Sequence, residues 1–261
     1  MSHPYLSGLT VPTVLAHRGL VTPGLATVGI VENSRAAIAA AVDSGADLIE
    51  TDCRLTRDGT VVLFHDASLG RVLGDARRLV DVDATELAEL MADRGGLLTL
   101  ADALADFPEA RFNIDIKSDD AVIPAGQLVA GHGDRILLTS FSDKRRARVL
   151  AVATQWDVAR PATSPGRNSL AKLIVLVALR ARRRAAAMLR DVDALQIPEA
   201  QGRTRVLTRR LLKYARRANV AVHVWTVNDP DDMRRLVEMG VDGIVTDRAD
   251  IALEVLRTYR A

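Results

Sequence analysis

Acidic residues recur at two-residue spacing in two apolar stretches of the chain. Glu50 and Asp52 lie in DLIETDCRL, and Asp115 and Lys117 lie in RFNIDIK. Alternate residues of a β-strand point to the same face, so each pair shares one face if these stretches are strands. Three carboxylates brought together raise one another's pKa, and a divalent cation removes that repulsion. Oxygen ligands favour Mg²⁺ or Ca²⁺ over zinc, which makes these three carboxylates candidate ligands of one such ion.

Basic residues and histidines lie near the same predicted strand ends. Arg18 follows His17 in AHRG at the end of the first predicted strand, and Lys117 ends another. Fixed positive charge beside a metal suits a phosphate that bridges to the ion. His17 and His65 lie on separate elements, and imidazole suits general acid and base work near neutral pH. Together these residues predict metal-assisted hydrolysis of a phosphate ester.

Each piece alone also fits a structural role. A Glu-x-Asp pair on a strand often only makes the edge of a sheet polar or forms salt bridges. Asp58-Gly59 is a hairpin turn signal. His223 shares the strand parity of Trp225 and is expected in the core or beside the site. Asp247, at the end of VDGIVTD, fits a cap of the last helix. The functional interpretation therefore depends on the combination of residues.

Composition narrows the classes of function. The 261 residues are 48% hydrophobic but 3% aromatic, and the formal net charge is +2. That small net charge does not argue for a nucleic-acid partner. The longest apolar run, LIVLVAL at 173–179, is far below the roughly 20 residues that cross a bilayer. A single cysteine, Cys53, fits a reducing compartment, and the first residues lack the pattern of a signal peptide, so we expect a cytoplasmic protein.

Strand-like and helix-like segments alternate from end to end, which predicts a parallel α/β fold. Eight such units in about 250 residues favour a closed (β/α)₈ TIM barrel over a doubly wound open sheet. We expect a single domain, residues 1–261, with a short hairpin and helix insertion at about 57–98. The predicted strands are 13–19, 47–55, 111–117, 135–141, a weak 156–161, 193–198, 220–228 and 241–247.

These motifs, in this order, resemble the glycerophosphodiester phosphodiesterase family, in its compact bacterial, cytoplasmic form. The similarity runs nearly from end to end, and its specificity comes from the set of motifs. The matching segments are His17-Arg18-Gly19, Glu32-Asn33-Ser34, Glu50-Thr51-Asp52, Thr56-Arg57-Asp58-Gly59, His65-Asp66, NIDIK (113–117), SF (140–141), VWTVN (224–228) and VDGIVTD (241–247).

The resemblance implies a TIM barrel that hydrolyses glycerophosphodiesters to sn-glycerol 3-phosphate and an alcohol with one divalent metal ion, within lipid and glycerol metabolism. It implies that His17 and His65 form the acid–base pair. The remaining implied roles are metal binding by Glu50, Asp52 and Asp115, phosphate contact by Arg18 and Lys117, lining of the substrate pocket by Trp225, and a polar contact or helix cap by Asn33.

Three features depart from the family pattern. Asp115 stands where Glu is commoner, which shortens one candidate ligand by a methylene group. The loop from His17 to Glu32 is longer than usual and is expected to reshape the mouth of the pocket. Arg248-Ala249 follow Thr-Asp where the family often has proline.

Two other functions also fit the sequence. The stretch 170–190 is apolar and then strongly basic, which fits a lysophospholipase D-type diesterase acting on lipid at an anionic membrane surface. The same helix could instead pack on the barrel with its arginines in solvent. A non-catalytic phosphodiester-binding barrel is the other alternative, because a fold alone does not prove activity.

Overall fold

Eight parallel strands form a nearly closed barrel in the computed structural model, which describes residues 3–155, 159–202 and 204–260. The pairing order is β6-β5-β4-β2-β1-β11-β10-β7, and β3 pairs antiparallel with β2. The TIM-barrel prediction is confirmed. The strands are β1 (Thr13–His17), β2 (Leu48–Leu55), β3 (Val61–Leu63), β4 (Phe112–Ile116), β5 (Ile136–Thr139), β6 (Ala162–Thr163), β7 (Ala194–Pro198), β8 (Ala200–Gln201), β9 (Thr204–Arg205), β10 (Ala221–Trp225) and β11 (Gly243–Thr246).

Helices connect the strands and cover the outside of the barrel. Ser34 accepts a hydrogen bond from the third residue of its helix, and Asp229 does the same before Pro230, as N-caps do. No helix in the described ranges is long and apolar enough to cross a membrane. The helices are α1 (Pro23–Thr27), α2 (Arg35–Asp43), α3 (Gly70–Leu73), α4 (Ala84–Met91), α5 (Leu100–Asp106), α6 (Val122–Val129), α7 (Asp143–Ala153), α8 (Arg167–Ala178), α9 (Arg182–Leu189), α10 (Arg209–Arg217), α11 (Pro230–Glu238) and α12 (Ala249–Leu256).

Two local predictions were wrong. The weak strand predicted at 156–161 lies partly outside the described residues, and 159–161 are not in a strand; β6 begins after Pro161, which has no N–H to give to a ladder. The long helical pattern through 170–190 is two helices, α8 and α9, because the chain turns at Arg180 with a φ of 57°.

The inward faces of the strands divide the barrel interior into an apolar lower part and a polar upper part. Leu15, Leu48 and Val245 pack in the interior around the buried side chain of Tyr5. The next inward position of β2 after Leu48 is Glu50, so the apolar packing gives way to acidic residues towards the carboxyl ends of the strands. That end is where TIM barrels carry their active sites.

Aspartates at the start of three strand segments tie neighbouring strands together at the amino end of the barrel. The backbone N–H of each aspartate donates to the carbonyl oxygen of a residue in the adjacent strand. The backbone N–H of that same residue donates in return to the carboxylate of the aspartate. Such charge-assisted bonds are stronger than neutral ones. The pairs are Asp47 with Val14, Asp193 with Thr163 and Asp242 with Val222, and their carboxylate bonds measure 2.8, 2.9 and 2.9 Å.

The Asp193 pair joins β6 to β7, the two ends of the strand order. We expect Asp193→Ala to lower the free energy of unfolding by about 2 kcal/mol, because it leaves the buried Thr163 N–H unpaired and frees Arg160. Denaturant unfolding measures the change. The control is the exposed neighbour Asp191→Ala, expected within about 0.5 kcal/mol of the parent. Equal values for the two variants would contradict the role of this pair in closing the barrel.

Candidate active site

A cavity of about 620 Å³ opens at the carboxyl ends of the barrel strands. The barrel strands that line it are β1, β2, β4, β5, β7, β10 and β11, which lie far apart in the chain. Eight of the nine site residues predicted from the sequence line it, and these are His17, Arg18, Glu50, Asp52, His65, Asp115, Lys117 and Trp225.

Strand register places the acidic residues side by side. His17 of β1 is opposite Glu50 of β2, and Asp52 of β2 is opposite Asp115 of β4. Asp52 and Asp115 are 1% and 4% exposed, so both carboxylates are removed from bulk water. Burial of several carboxylates together requires compensating positive charge.

Lys117 and Arg18 supply that charge around Asp52. The Lys117 ammonium lies 2.8 Å from Asp52 Oδ1 and 2.7 Å from Asp115 Oδ2, and Arg18 Nε lies 3.1 Å from Asp52 Oδ2. Burial opposes ionisation of Asp52, but these two cations outweigh it and hold the pKa of Asp52 below its ordinary value. Asn33, the ninth predicted residue, is buried and does not line the cavity, but it donates to Asp52 Oδ2 at 3.3 Å. Its alternative as a helix cap is wrong, because Ser34 caps α2.

Glu50 and Asp115 are less well compensated. Burial, reinforced by Asp52, raises the pKa of Glu50 to about 8, and burial also raises the pKa of Asp115. Glu50 Oε2 and Asp115 Oδ1 are buried acceptors without a hydrogen-bond partner among the described residues. Buried acceptors of this kind need a donor or a cation, so the chemistry of the site fits a divalent ion.

The carboxylates do not form a ready-made metal site. Across 3–155, 159–202 and 204–260, no group of three or more His, Cys, Asp or Glu side chains has the arrangement to hold a metal ion. The Lys117 ammonium lies between Asp52 and Asp115 instead. A cation that binds Glu50 and these two carboxylates must therefore compete with Lys117 for their oxygens.

His17 is held by a carboxylate that the sequence interpretation assigned to a helix cap. His17 Nδ1 lies 2.6 Å from Asp247 Oδ1, while its Nε2 lies 3.8 Å from Glu50 Oε2. Asn228 donates to the other oxygen of Asp247 at 2.7 Å. Burial lowers the pKa of His17, but the hydrogen bond to Asp247 and the charge of Glu50 more than offset it, so the net pKa is raised.

His65 is held in the same way by its sequence neighbour. His65 Nδ1 lies 2.6 Å from Asp66 Oδ1, and Arg71 Nε donates to Asp66 Oδ2 at 2.6 Å. Both terminal nitrogens of the Arg71 guanidinium donate to the carboxylate of Glu32. That carboxylate also accepts a hydrogen bond of 2.8 Å from Arg18. A continuous chain of charge-assisted hydrogen bonds thus runs from the histidine to the phosphate-binding candidate Arg18.

These supporting residues were missed at the sequence level for different reasons. Asp66 and Glu32 lie inside motifs quoted for the resemblance, and adjacency to a candidate histidine was a usable signal for Asp66. Asp247 lies 230 residues from His17 in the chain, and their contact follows from the pairing of β1 with β11. Arg71 belongs to α3 within the insertion after β2, where the sequence offered no signal.

An apolar wall borders one side of the cavity. Trp225 meets Phe141 edge to face with ring centroids 6.0 Å apart, and Lys117 and Arg167 both lie over the Phe141 ring. Leu170, Ala171, Ile174 and Val175 of α8 and Val206 line the same wall. His223 lies deeper, where burial lowers its pKa to about 4, so it is a neutral core residue.

Comparison with known proteins agrees with this geometry. Residues 17–251 match the model of the glycerophosphoryl diester phosphodiesterase family. A curated relative, probable glycerophosphodiester phosphodiesterase 2 of Mycobacterium tuberculosis, is 36% identical, and the alignment covers 93% of this chain and 89% of the relative.

Two solved structures share the fold. The glycerophosphodiester phosphodiesterase of Thermotoga maritima superposes with a TM-score of 0.68 at 24% identity, over 93% of this chain and 97% of that one. An Oleispira antarctica phosphodiesterase, solved with the product sn-glycerol-3-phosphate, gives 0.70 at 19% identity, over 95% and 97%. The family and hydrolase class expected from the sequence are confirmed: the chain belongs to the glycerophosphoryl diester phosphodiesterase family.

Proposed function

We propose that this chain hydrolyses glycerophosphodiesters to sn-glycerol 3-phosphate and an alcohol, with His17 and His65 as the acid–base pair. The observation that carries the proposal is that each histidine is fixed through Nδ1 by a carboxylate at the edge of one cavity that also holds carboxylates and cations. The product bound to the related Oleispira antarctica enzyme supports the choice of substrate class.

The histidine tautomers follow from their partners. The pKa values of Asp247 and Asp66 are both below their ordinary value. Burial raises the pKa of Asp247, but the hydrogen bonds from His17 and Asn228 outweigh burial. For Asp66, the hydrogen bonds from His65 and Arg71 outweigh burial in the same way. An ionised carboxylate only accepts, so Nδ1 of each ring carries a proton and donates it. Each Nε2 is then free to take or give a proton in the cavity. One ring deprotonates the attacking hydroxyl, from water or from the glycerol of the substrate, and the other protonates the leaving alcohol oxygen.

We propose that Glu50, Asp52 and Asp115 hold one divalent cation, Mg²⁺ or Ca²⁺. When bound, that ion supplies Lewis-acid polarisation of a phosphoryl oxygen. Support comes from the two buried acceptor oxygens without partners, on Glu50 and Asp115. Lys117 would then be released from these carboxylates, so that it and Arg18 could bind phosphate oxygens, while Trp225 lines the substrate pocket.

Two broader inferences accompany this proposal. We infer that residues 1–261 form one domain, supported by a single strand order that joins β1 to β11. We also infer a cytoplasmic location, supported by a lone buried Cys53 with no disulfide. A place in lipid and glycerol metabolism follows from the proposed product.

Replacing His65 by Ala should lower turnover of glycerophosphocholine by about 10²–10⁴, because one proton transfer loses its side chain. Asp66→Asn keeps the shape but no longer fixes the Nδ1–H tautomer, so it should lower kcat with little change in KM. Release of glycerol 3-phosphate measures both effects. His132→Ala, a partly exposed histidine outside the cavity, is the control and should retain full activity. Turnover near that of the parent in His65→Ala would remove His65 from the mechanism.

Cation affinity should rise with pH up to about 8, the pKa of Glu50. Below that pH the ion must displace a proton from Glu50, so affinity should increase by up to about tenfold per pH unit and then level off. Calorimetry with Mg²⁺ and Ca²⁺ at several pH values, in buffers of different ionisation enthalpy, measures affinity and proton release together.

The matched pair for this test is Glu50→Gln and Glu89→Gln. Glu50→Gln should bind the ion more weakly and lose most of the pH dependence, whereas Glu89, exposed on α4, should behave as the parent. An affinity independent of pH in the parent, or hydrolysis unaffected by EDTA, would contradict the metal assignment.

A lysophospholipase D-type activity is a second candidate, favoured by the apolar wall of the cavity. Leu170, Ile174 and Val175 present aliphatic surface to the same cavity that the charged residues line. An alcohol that carries a single hydrocarbon chain could pack there, as apolar ligand surface does in pockets. In this candidate function, the part of the stretch 170–190 that lines the cavity would contact the hydrocarbon chain of the substrate.

Val175→Asp separates the two candidates. Because Val175 is 55% exposed, its replacement should leave the fold intact. If lipid is the substrate, KM for lysophosphatidylcholine should rise about tenfold or more, while turnover of glycerophosphocholine stays within about twofold. Val42→Asp, an exposed valine on α2, is the control for added charge. No turnover of lysophosphatidylcholine by the parent would reject the second candidate.

A further inference from the structure

Positive charge is concentrated in one fifth of the chain. Residues 167–217 contain fourteen Lys or Arg and three Asp or Glu, an excess of eleven positive charges. The whole chain has a net charge of +2, so the remaining residues carry an excess of nine negative charges. Such separation builds a strong local field on a protein whose net charge as a whole is close to zero.

Most of the basic side chains of this segment are exposed and have no carboxylate partner among the described residues. Twelve of them are exposed on or beside α8, α9 and α10, and none forms a salt bridge within the described residues. Elsewhere many arginines are paired, as Arg71, Arg77 and Arg235 are. We call this surface the basic face; its residues are Arg167, Lys172, Arg180, Arg182, Arg183, Arg184, Arg190, Arg209, Arg210, Lys213, Arg216 and Arg217.

The three helices of the basic face form one continuous surface. Helices α8, α9 and α10 pack against one another, and Arg210 donates to the carbonyl of Ala178 at the end of α8. A cavity of about 640 Å³ between α10 and α11 is lined by Arg209, Lys213 and Arg216. Glu238, which also lines it, accepts a hydrogen bond from Tyr259. The face therefore offers a concave, strongly basic pocket as well as a charged surface.

An apolar ridge lies within the basic face. Val175 in the last turn of α8 and Leu179, the residue directly after that helix, are 55% and 73% exposed. The opposite side of α8 is occupied, because Leu173 and Val177 are buried in the core. Val175 also lines the active-site cavity, so the ridge begins at the mouth of that cavity.

We propose that the basic face binds the surface of an anionic phospholipid bilayer, with Leu179 entering the interface and the mouth of the cavity held against the membrane. Unpaired arginines around exposed aliphatic side chains fit lipid head groups and acyl chains together. A nucleic acid would match the charge but not the apolar ridge, and aromatic stacking surface is scarce in this chain. The proposal concerns binding and does not depend on which diester is hydrolysed.

The test is sedimentation of the full chain with vesicles, without substrate. The parent should bind phosphatidylcholine vesicles that contain about 30% phosphatidylglycerol, should not bind pure phosphatidylcholine, and should be released by about 0.5 M salt. Arg183→Glu with Arg184→Glu should weaken binding about tenfold or more, and Leu179→Asp should weaken it severalfold. None of these residues lines the active-site cavity, so hydrolysis of soluble glycerophosphocholine should be unchanged.

The matched control is Arg94→Glu with Arg257→Glu, two exposed arginines outside the basic face and without a salt bridge among the described residues. This variant should bind vesicles as the parent does. Equal binding to neutral and anionic vesicles, or equal loss in the two double variants, would overturn the proposal. So would binding to a duplex oligonucleotide with no binding to vesicles. Loss of hydrolysis with vesicle binding intact would count against the proposed function alone.

Discussion

The burial of several carboxylates at the top of the barrel is the constraint that the rest of the site must satisfy. Asp52 is ionised because Lys117 and Arg18 lie against it. Glu50 forms no salt bridge with a lysine or arginine of the described residues, and burial raises its pKa to about 8. Folding raises the pKa of Glu50, so its contribution to stability is present at low pH and is lost as the pH rises through about 8. The protein therefore keeps an acidic cluster that is unfavourable by itself at neutral pH, which is typical of a functional site.

The rest of the barrel makes that cluster possible. Below it, aliphatic residues and Tyr5 fill the interior, which keeps the carboxylates in a setting of low polarity. At the amino end, Asp47, Asp193 and Asp242 fix neighbouring strands through reciprocal bonds. Strand register then decides which side chains meet, since a shift by one residue would turn Glu50 and Asp52 outward into the helix layer. Stability and chemistry are thus separated between the two ends of the barrel.

The sequence predicted the elements whose signals are local. Two-residue spacing placed Glu50 and Asp52 on one strand face, and the Asp58-Gly59 turn brought the arm with His65 back antiparallel, as β2 and β3 show. Local spacing could not predict contacts that form only when the first and last strands of the barrel pair. The pairing of His17 with Asp247 joins the first and last barrel strands, and no spacing rule connects them. The position of β6 was also missed, because a strand of two residues carries almost no periodic pattern.

The neighbours of Asp115 bear on its presence at a position where the family more commonly has Glu. Asp115 lies in register with Asp52, and one ammonium, that of Lys117, contacts both carboxylates at nearly equal distances. The shorter side chain thus keeps its second oxygen close to its own strand, buried and without a partner among the described residues. If Asp52 and Asp115 held a divalent cation, that ion would take the place of Lys117 beside both carboxylates. Lys117 also lines the cavity, so an ammonium released in this way would remain within reach of a bound phosphate.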